Sequence, residues 1–351
     1  LLERLCNACG VSGNEKEVRA IVLESIRPLV SEVKVDALGN VLAIREGQGK
    51  NRPRVMIAAH MDEVGFMLTH DEGEGIFRFQ IVGGINPSQL AGKPVWVGAD
   101  RLPGVIGAKP IHLTSADERR RAISLDGLRI DIGNENGKKA KVGDWATFAT
   151  TFSRLGPSIR AKALDDRFGV ATLIELLRDP PANIDLLAAF TVQEEVGLRG
   201  AQVAAYALEP HMALVLDCTP AMDLPALGDE RVYSESDRAG NARYNTRLGA
   251  GPAIYVADRA TLSDPRLVRH LVDTGQALNI PYQFRQPGGG GTDAGAIHKQ
   301  RAGIPSVSVS VPGRYLHTAA SLSRLEDWKN TLALVHAALT RMSMDVLASE
   351  R

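Results

Sequence analysis

Residue types able to hold a cation and move a proton recur along this chain at the ends of apolar runs. Asp185-Leu186-Leu187-Ala188-Ala189-Phe190 has the composition of a strand buried on both faces, and it leads through Thr191-Val192-Gln193 to Glu194-Glu195. Arg54 to Ala59 is a second such run and empties into His60-Met61-Asp62-Glu63. Met212 to Leu216 ends in Asp217, and Ser306 to Val311 leads shortly to His317. Asp165-Asp166 stand at the mouth of a helix whose apolar face is Phe168, Val170, Ala171, Leu173, Ile174 and Leu177. An N-cap accounts for one of these aspartates and leaves the other without a role.

Imidazole nitrogens and carboxylate oxygens are ligands for borderline divalent cations, so zinc, cobalt and manganese all suit this set. Ligands of open α/β sheets collect at the carboxyl ends of the strands. His60, Asp165, Glu195, Asp217 and His317 are therefore expected to meet at one sheet edge. They suffice for two ions if Asp165 bridges them. Neighbours on an extended chain point to opposite sides, so Glu194 and Glu195 are expected to divide two jobs, one toward a cation and one toward a substrate. A carboxylate near His60, as in His60-x-Asp62, can fix the ring's orientation. Each residue alone has an ordinary structural explanation; the collection points to a metal site.

The elements that position these residues read as an α/β fold with a mixed central sheet and flanking helices. Helical spacing covers Leu1 to about Leu29, with Ser12 or Asn14 as the cap for Val18, Ile21, Val22 and Ile26. Val33 to Asp36 and Asn40 to Ile44 read as a hairpin. From Val64 to about Ser158 short β-rich pieces (Phe77–Val82, Pro94–Val97, Gly104–Gly107, Leu128–Ile132, Trp145–Thr150) alternate with Gly, Pro and Asp, as in a small barrel or sandwich. The division expected is a discontinuous catalytic domain, 1–64 and 157–351, interrupted by an inserted β-rich domain, 65–156. Helices are expected at Leu198 to Leu208, Pro265 to Leu278 and Asp327 to Leu347, and strands at Ala253 to Ala257 and Pro281 to Phe284. Gly288 to Gly291 precedes Thr292-Asp293 without the phosphate-loop pattern, and suits close approach of backbone to a substrate.

Composition narrows the setting. Lys plus Arg equals Asp plus Glu at 41 each, which gives no net charge to draw the chain to nucleic acid or an acidic membrane. No apolar run approaches the ~18 residues of a membrane span. Three cysteines, an odd number, argue against a disulfide framework and for a reducing, cytoplasmic setting. Cys6 and Cys9 lack a second pair and read as small buried residues on one helix face. The chain opens on Leu1-Leu2-Glu3-Arg4, so residues of the natural N-terminus are expected to be missing.

Four strings carry a resemblance: Ala58-Ala59-His60-Met61-Asp62-Glu63-Val64-Gly65-Phe66-Met67, Lys162-Ala163-Leu164-Asp165-Asp166-Arg167, Gln193-Glu194-Glu195-Val196-Gly197 and Gly290-Gly291-Thr292-Asp293-Ala294-Gly295. Together they resemble the tetrahedral (glutamyl/deblocking) aminopeptidases over nearly the whole chain. The resemblance implies a zinc-peptidase-like catalytic domain and a dinuclear metalloaminopeptidase. One ion would be held by His60, Asp165 and Asp217 and the other by Asp165, Glu195 and His317. Glu194 would be the general base and Asp62 the partner of His60, with a cis Asp165-Asp166 peptide. It also implies dimers made by the inserted domain and a dodecamer built from them.

The chemistry expected is hydrolysis of the first amide of a peptide, with Glu194 taking a proton from the attacking water and passing it to the departing amine. Another dinuclear hydrolase, a carboxypeptidase or deacylase, fits the same ligands, because end-group choice lives in loops. A glycosidase using Glu194 and Glu195 fits less well, since paired acids must flank the bond. A scaffold with structural metals is the non-enzyme reading. Candidate substrate contacts are Gly290, Gly291, Thr292, Asp293 and Arg314, with His298 nearby in sequence. Cys218, next to a ligand, is expected to be open to oxidation.

Overall fold

The computed structural model describes residues 1–224, 246–285, 289–348 and 350. Its first elements are α1 (Leu2–Asn7), α2 (Lys16–Ile26), the hairpin β1 (Glu32–Val35) and β2 (Val41–Arg45), and β3 (Arg54–His60). The chain then enters β4 (Gly65–Asp71), β5 (Ile76–Val82), β6 (Pro94–Val97) and β7 (Leu102–Ala108). Next come α3 (Ala116–Arg120), β8 (Leu128–Asp131), α4 (Asn134–Gly137) and β9 (Trp145–Phe148). It returns through β10 (Ser153–Leu155) and β11 (Ser158–Ala161) to α5 (Leu164–Arg178), β12 (Asp185–Thr191), α6 (Arg199–Leu208) and β13 (Met212–Pro220). The last elements are β14 (Ala253–Tyr255), α7 (Pro265–Leu278), β15 (Gln283–Arg285), α8 (Ala294–Ile297), β16 (Ser306–Arg314), β17 (Ser321–Arg324), α9 (Leu325–Thr340) and α10 (Asp345–Ala348).

The large mixed sheet runs β1-β2-β12-β3-β13-β16-β17-β11-β10, with β14 on β16 and β15 on β14. Its centre, β12, β3, β13 and β16, is parallel. Successive side chains go to opposite faces, and on β3, β12 and β13 both faces are apolar, whereas β16 alternates valine with buried serine. Val55, Ile57, Ala59, Leu186, Ala188, Phe190, Leu214 and Leu216 pack against α2, α5, α7 and α9. Met56, Ala58, Leu187, Ala189, Ala213 and Val215 pack against α6 and α8. Burial on both faces is the physical reason these strands read as continuous apolar runs. Truncating a filler such as the fully buried Phe190 to Ala costs about 3–5 kcal/mol.

Strands β4-β5-β8-β7-β6-β9 close a barrel with an apolar core of its own. Phe66 anchors it, edge-on to Phe79 and Phe148 at 5.2 Å between ring centroids. The barrel ends at Phe148, and β10 already belongs to the large sheet through β11. The chain thus re-enters that sheet at Ser153, slightly before the expected boundary at 157. Strand β4 goes unread in the sequence, because Gly65-Phe66-Met67-Leu68 joins the His60 turn without punctuation.

Three local expectations are corrected. Helix α2 begins after Glu15 with no side-chain cap: Ser12 instead donates to Asp62 Oδ2 at 2.6 Å. The C-terminal helix stops at Thr340 and a short α10 follows, so Asp327 to Leu347 is not one helix. Cys9 lies beyond α1, its N–H donating to Glu17 at 2.9 Å, and so shares no helix face with the buried Cys6. Gly288 lies outside the described residues.

Candidate functional site

The parallel register brings Thr191 of β12 level with His60 of β3, so these strands finish together. Asp217 lies near the end of β13, and His317 follows β16 by a short turn. At the start of α5 the two aspartates separate. Asp166 Oδ1 accepts from Gly169 N at 2.9 Å, as a helix-start acceptor does, while Asp165 faces the site. The peptide between them is cis.

Two donor triads result, His60/Asp165/Asp217 and Asp165/Glu195/His317, each with ligand atoms within 4.8 Å of one another. His60 Nε2 lies 3.2 Å from Asp165 Oδ1 and 3.6 Å from Asp217 Oδ1. His317 Nε2 lies 3.5 Å from Asp165 Oδ2 and 3.3 Å from Glu195 Oε2. Asp165 thus presents one oxygen to each triad. The opposite ring nitrogens are committed elsewhere. His317 Nδ1 donates to the carbonyl of Gly84 at 2.9 Å, and His60 Nδ1 faces the Asp62 carbonyl at 3.2 Å and its Oδ1 at 3.6 Å. This turns both Nε2 atoms inward, the nitrogens that neutral imidazoles would offer to a metal.

Asp62 does more than attend His60. Its carboxylate accepts the backbone N–H groups of Glu194 at 3.0 Å and Glu195 at 3.2 Å, as well as the Ser12 hydroxyl. Strand β12 ends at Thr191, and Gln193 turns the chain through a left-handed conformation (φ 57°). Glu194 and Glu195 therefore stand in a turn rather than on a strand. Both line the same cavity instead of diverging, which corrects the alternation expected of an extended chain. His317 is also left-handed (φ 59°), a backbone cost of about 1–3 kcal/mol of the kind that collects at functional sites.

Beneath the site lies a buried ionic cluster that the sequence did not signal. Glu63 accepts from Lys162 Nζ at 2.5 and 2.6 Å, Arg167 at 3.3 Å, Thr147 Oγ1 at 3.0 Å and Gly10 N at 2.9 Å. Arg167 also donates to the carbonyls of Met61, Leu5 and Asp62, which pins the His60-x-Asp62 turn from below.

The cavity is about 900 Å³ and is lined by the five donors, Glu194, Gly84, Cys218, Tyr255, Arg259, Arg285, Gly290 and Gly291 among others. Thr292 and Asp293 sit behind its wall: Thr292 Oγ1 pairs with Ser308 Oγ at 2.7 Å, and Asp293 Oδ2 accepts from Thr191 at 2.5 Å. Burial pushes Asp293 up to about 6. Arg314 is not among the lining residues, and its Nε donates to Asp223 at 2.7 Å. His298 lines a separate cavity of about 310 Å³. Arg259 and Arg285, unremarked in the sequence, take the lining positions that Arg314 was expected to hold. The Cys218 thiol lines the cavity and donates to Leu164 O at 3.2 Å, and burial raises its pKa well above normal, which disfavours the thiolate through which oxidation would begin.

Charge tests whether this donor set fits divalent ions. Four carboxylates line the cavity against two imidazoles. Burial, reinforced by neighbouring acids, raises Glu195 to about 8 and Asp217 to about 7, and lifts Glu194 well above the carboxylate range. Asp165 goes the other way: burial opposes its charge, but the bonds to His317 and His60 overcome it and hold it low. Burial likewise works against a charged His317, yet Asp165 and Glu195 raise it to about 10. Buried acids that hold protons so tightly would be stabilised by added cationic charge, and imidazole–carboxylate triads suit divalent metals. The residues fit.

The class that this fold and donor set define is the metal-dependent hydrolases. Comparisons narrow it: a family model described as M42 glutamyl aminopeptidase matches residues 39–334. A lysyl aminopeptidase of Pyrococcus furiosus is 31% identical over 354 residues, covering 97% of this chain and 96% of its own. A TET aminopeptidase structure from Thaumarchaeota archaeon SCGC AB-539-E09 has a TM-score of 0.89 at 34% identity, over 99% of this chain and 98% of that one. The Pyrococcus horikoshii TET1 peptidase, described as assembling into a tetrahedron or a large octahedral shell, has a TM-score of 0.82 at 33% identity, over 97% and 98%. The chain belongs to the M42 glutamyl aminopeptidase family. It is an aminopeptidase that uses divalent metal, as the family does, which selects among the hydrolase classes that the ligands alone left open.

Proposed function

We propose that the chain removes N-terminal residues from peptides at a dinuclear site. One ion would be held by His60, Asp165 and Asp217 and the other by Asp165, Glu195 and His317. The observation that carries this is the pair of triads sharing Asp165, with Glu194 lining the same cavity. When bound, the ions would supply Lewis acidity to the scissile carbonyl and bring the attacking water's pKa toward neutrality. Glu194 takes the proton from that water and delivers it to the leaving amine; its burial suits a base that must hold a proton between the two steps. Asp62 holds the Glu194-Glu195 turn through two backbone bonds and orients His60, while Gly84 orients His317. Zinc, cobalt and manganese all match the donors.

The division into 1–64 with 157–351 and an inserted 65–156 is supported by the closed barrel and its separate apolar core. We take the barrel as the dimer-forming unit and a dodecamer built from six such dimers as the assembly, in line with the tetrahedron described for the Pyrococcus horikoshii relative. Among the described residues no helix is long and apolar enough to cross a membrane. Peptides are the partners proposed, in the cytoplasm, with neither nucleic acid nor membrane among them.

The test is hydrolysis of leucyl-p-nitroanilide by the metal-loaded enzyme, before and after chelation, alongside Glu194→Gln. The proposal expects activity that disappears with the chelator and returns with metal. It expects Glu194→Gln to retain two ions while losing nearly all turnover. Near-normal turnover in that variant would remove Glu194 from its role.

A further inference from the structure

Strand β12 ends at Thr191, and the loop from Val192 to Gly200 then carries Glu194 and Glu195. Asp62 holds the middle of this loop, through the N–H groups of Glu194 and Glu195. The two ends are held by Asn40, which is 0% exposed and comes from the distant hairpin of β1 and β2. Asn40 Oδ1 accepts from Val192 N at 3.0 Å, and Asn40 Nδ2 donates to Gly200 O at 3.0 Å. Val192 and Gly200 are also joined to each other, Gly200 N donating to Val192 O at 3.0 Å. A Cβ on Gly200 would lie 2.3 Å from Asn40 Oδ1 and 2.4 Å from Val192 O, so this closure needs glycine for its close approach.

The Asn40 carboxamide acts here as a detached peptide group. Strands β2 and β12 pair antiparallel as far as Val41 and Phe190. Past that pair the β12 chain turns away, and the side chain supplies the acceptor and donor that its backbone then needs. The amide has one pose, because a backbone N–H only donates and a carbonyl only accepts. Nδ2 also donates to Asp36 Oδ2 at 2.7 Å, while Asp36 Oδ1 accepts the N–H groups of Leu38, Gly39 and Asn40 at 3.0, 2.9 and 3.0 Å. Asn40 is not among the residues that line the cavity. We propose that Asn40 is a positioning residue for proton transfer: by closing the loop at both ends it sets where Glu194 stands against the attacking water. Resting on the aminopeptidase reading, this makes turnover depend on a side chain that touches neither substrate nor metal. Misplacing a reacting group by about 1 Å costs roughly 10²-fold in rate. A side chain that only stabilised the hairpin would instead change melting and leave the folded enzyme's turnover as it was.

The experiment measures kcat and KM separately on leucyl-p-nitroanilide for the metal-loaded parent, Asn40→Ala, Asn40→Asp and Val41→Ala. Metal content and melting temperature are recorded for each. Val41→Ala is the control: it empties a fully buried position on the same hairpin and leaves the amide bonds intact. Asn40→Ala should lower kcat by about 10- to 100-fold with KM changed by less than about threefold, the split expected when only the transition state is affected. Asn40→Asp keeps the acceptor for Val192, loses the donor for Gly200 and sets a second carboxylate beside Asp36, so its kcat should fall between. Val41→Ala should keep the parent's kcat even where it melts lower. A kcat for Asn40→Ala no lower than that of Val41→Ala, or a loss confined to KM, overturns the positioning role alone. Should Asn40→Ala fail to fold, Asn40→Asp against Val41→Ala decides by the same split. A parent without turnover overturns the aminopeptidase reading and the positioning role with it.

Discussion

Replacing Glu63 by Gln probes the ionic cluster beneath the site. The carboxylate is 3% exposed and lies between Lys162 and Arg167, whose side chains are both 0% exposed. The amide keeps the shape and removes the negative charge that, among the described residues, Lys162 and Arg167 share. Removing one partner of a buried pair costs about 3–5 kcal/mol, because the charge left behind is neither hydrated nor neutralised. At roughly 2.1 cal/mol/K per residue, 351 residues unfold with about 0.7 kcal/mol/K, so the melting temperature should fall by about 4–7 °C. Differential scanning calorimetry on the metal-free protein reads this directly. Adding Lys162→Met should recover part of the loss, since it removes a stranded cation. A single variant that melts within about 1 °C of the parent, or a double variant less stable than the single, would refute the reasoning. Arg167 also holds the Met61 and Asp62 carbonyls, so the single variant should bind metal more weakly as well.

Other perturbations test the neighbouring links. Asp165→Asn should lower occupancy at both metal positions, whereas His317→Ala should lower it at one, as measured by metal analysis after gel filtration. Gly84→Ala places a Cβ 3.2 Å from His317 Nδ1 and should reduce metal affinity by up to about tenfold in a chelator competition, without unfolding the barrel. Protons compete with metal for Asp217 and Glu195, whose pKa values are raised by burial to about 7 and 8. Affinity should therefore rise with pH between 6 and 8, and binding near pH 7 should release protons in a weakly buffered calorimetric titration. A pH-independent affinity would contradict that.

The legible parts of this chain are those where burial and chemistry act along a short stretch. Three of the parallel strands, β3, β12 and β13, read directly because both of their faces are apolar, and their ends could be located because the apolar run stops at His60, Asp217 or shortly before Glu194. The two aspartates of α5 could be suspected because a helix needs only one at its start, and Asp166 is the one that serves Gly169. What stayed hidden depends on contacts across long stretches of chain. The Gly84 carbonyl reaches His317 from 233 residues away, and nothing in Val82-Gly83-Gly84 announces it. Lys162, Glu63 and Arg167 look like surface charges until the fold buries them together. Arg314 sat next to the site in sequence, but Asp223 holds it; Arg259 carried no signal beyond its charge.

Anomalous diffraction from crystals equilibrated with zinc tests the central claim most directly. Two peaks flanking the Asp165 carboxylate, one against His60 and Asp217 and the other against Glu195 and His317, are the expected result. A single peak, or peaks remote from Asp165, would contradict it.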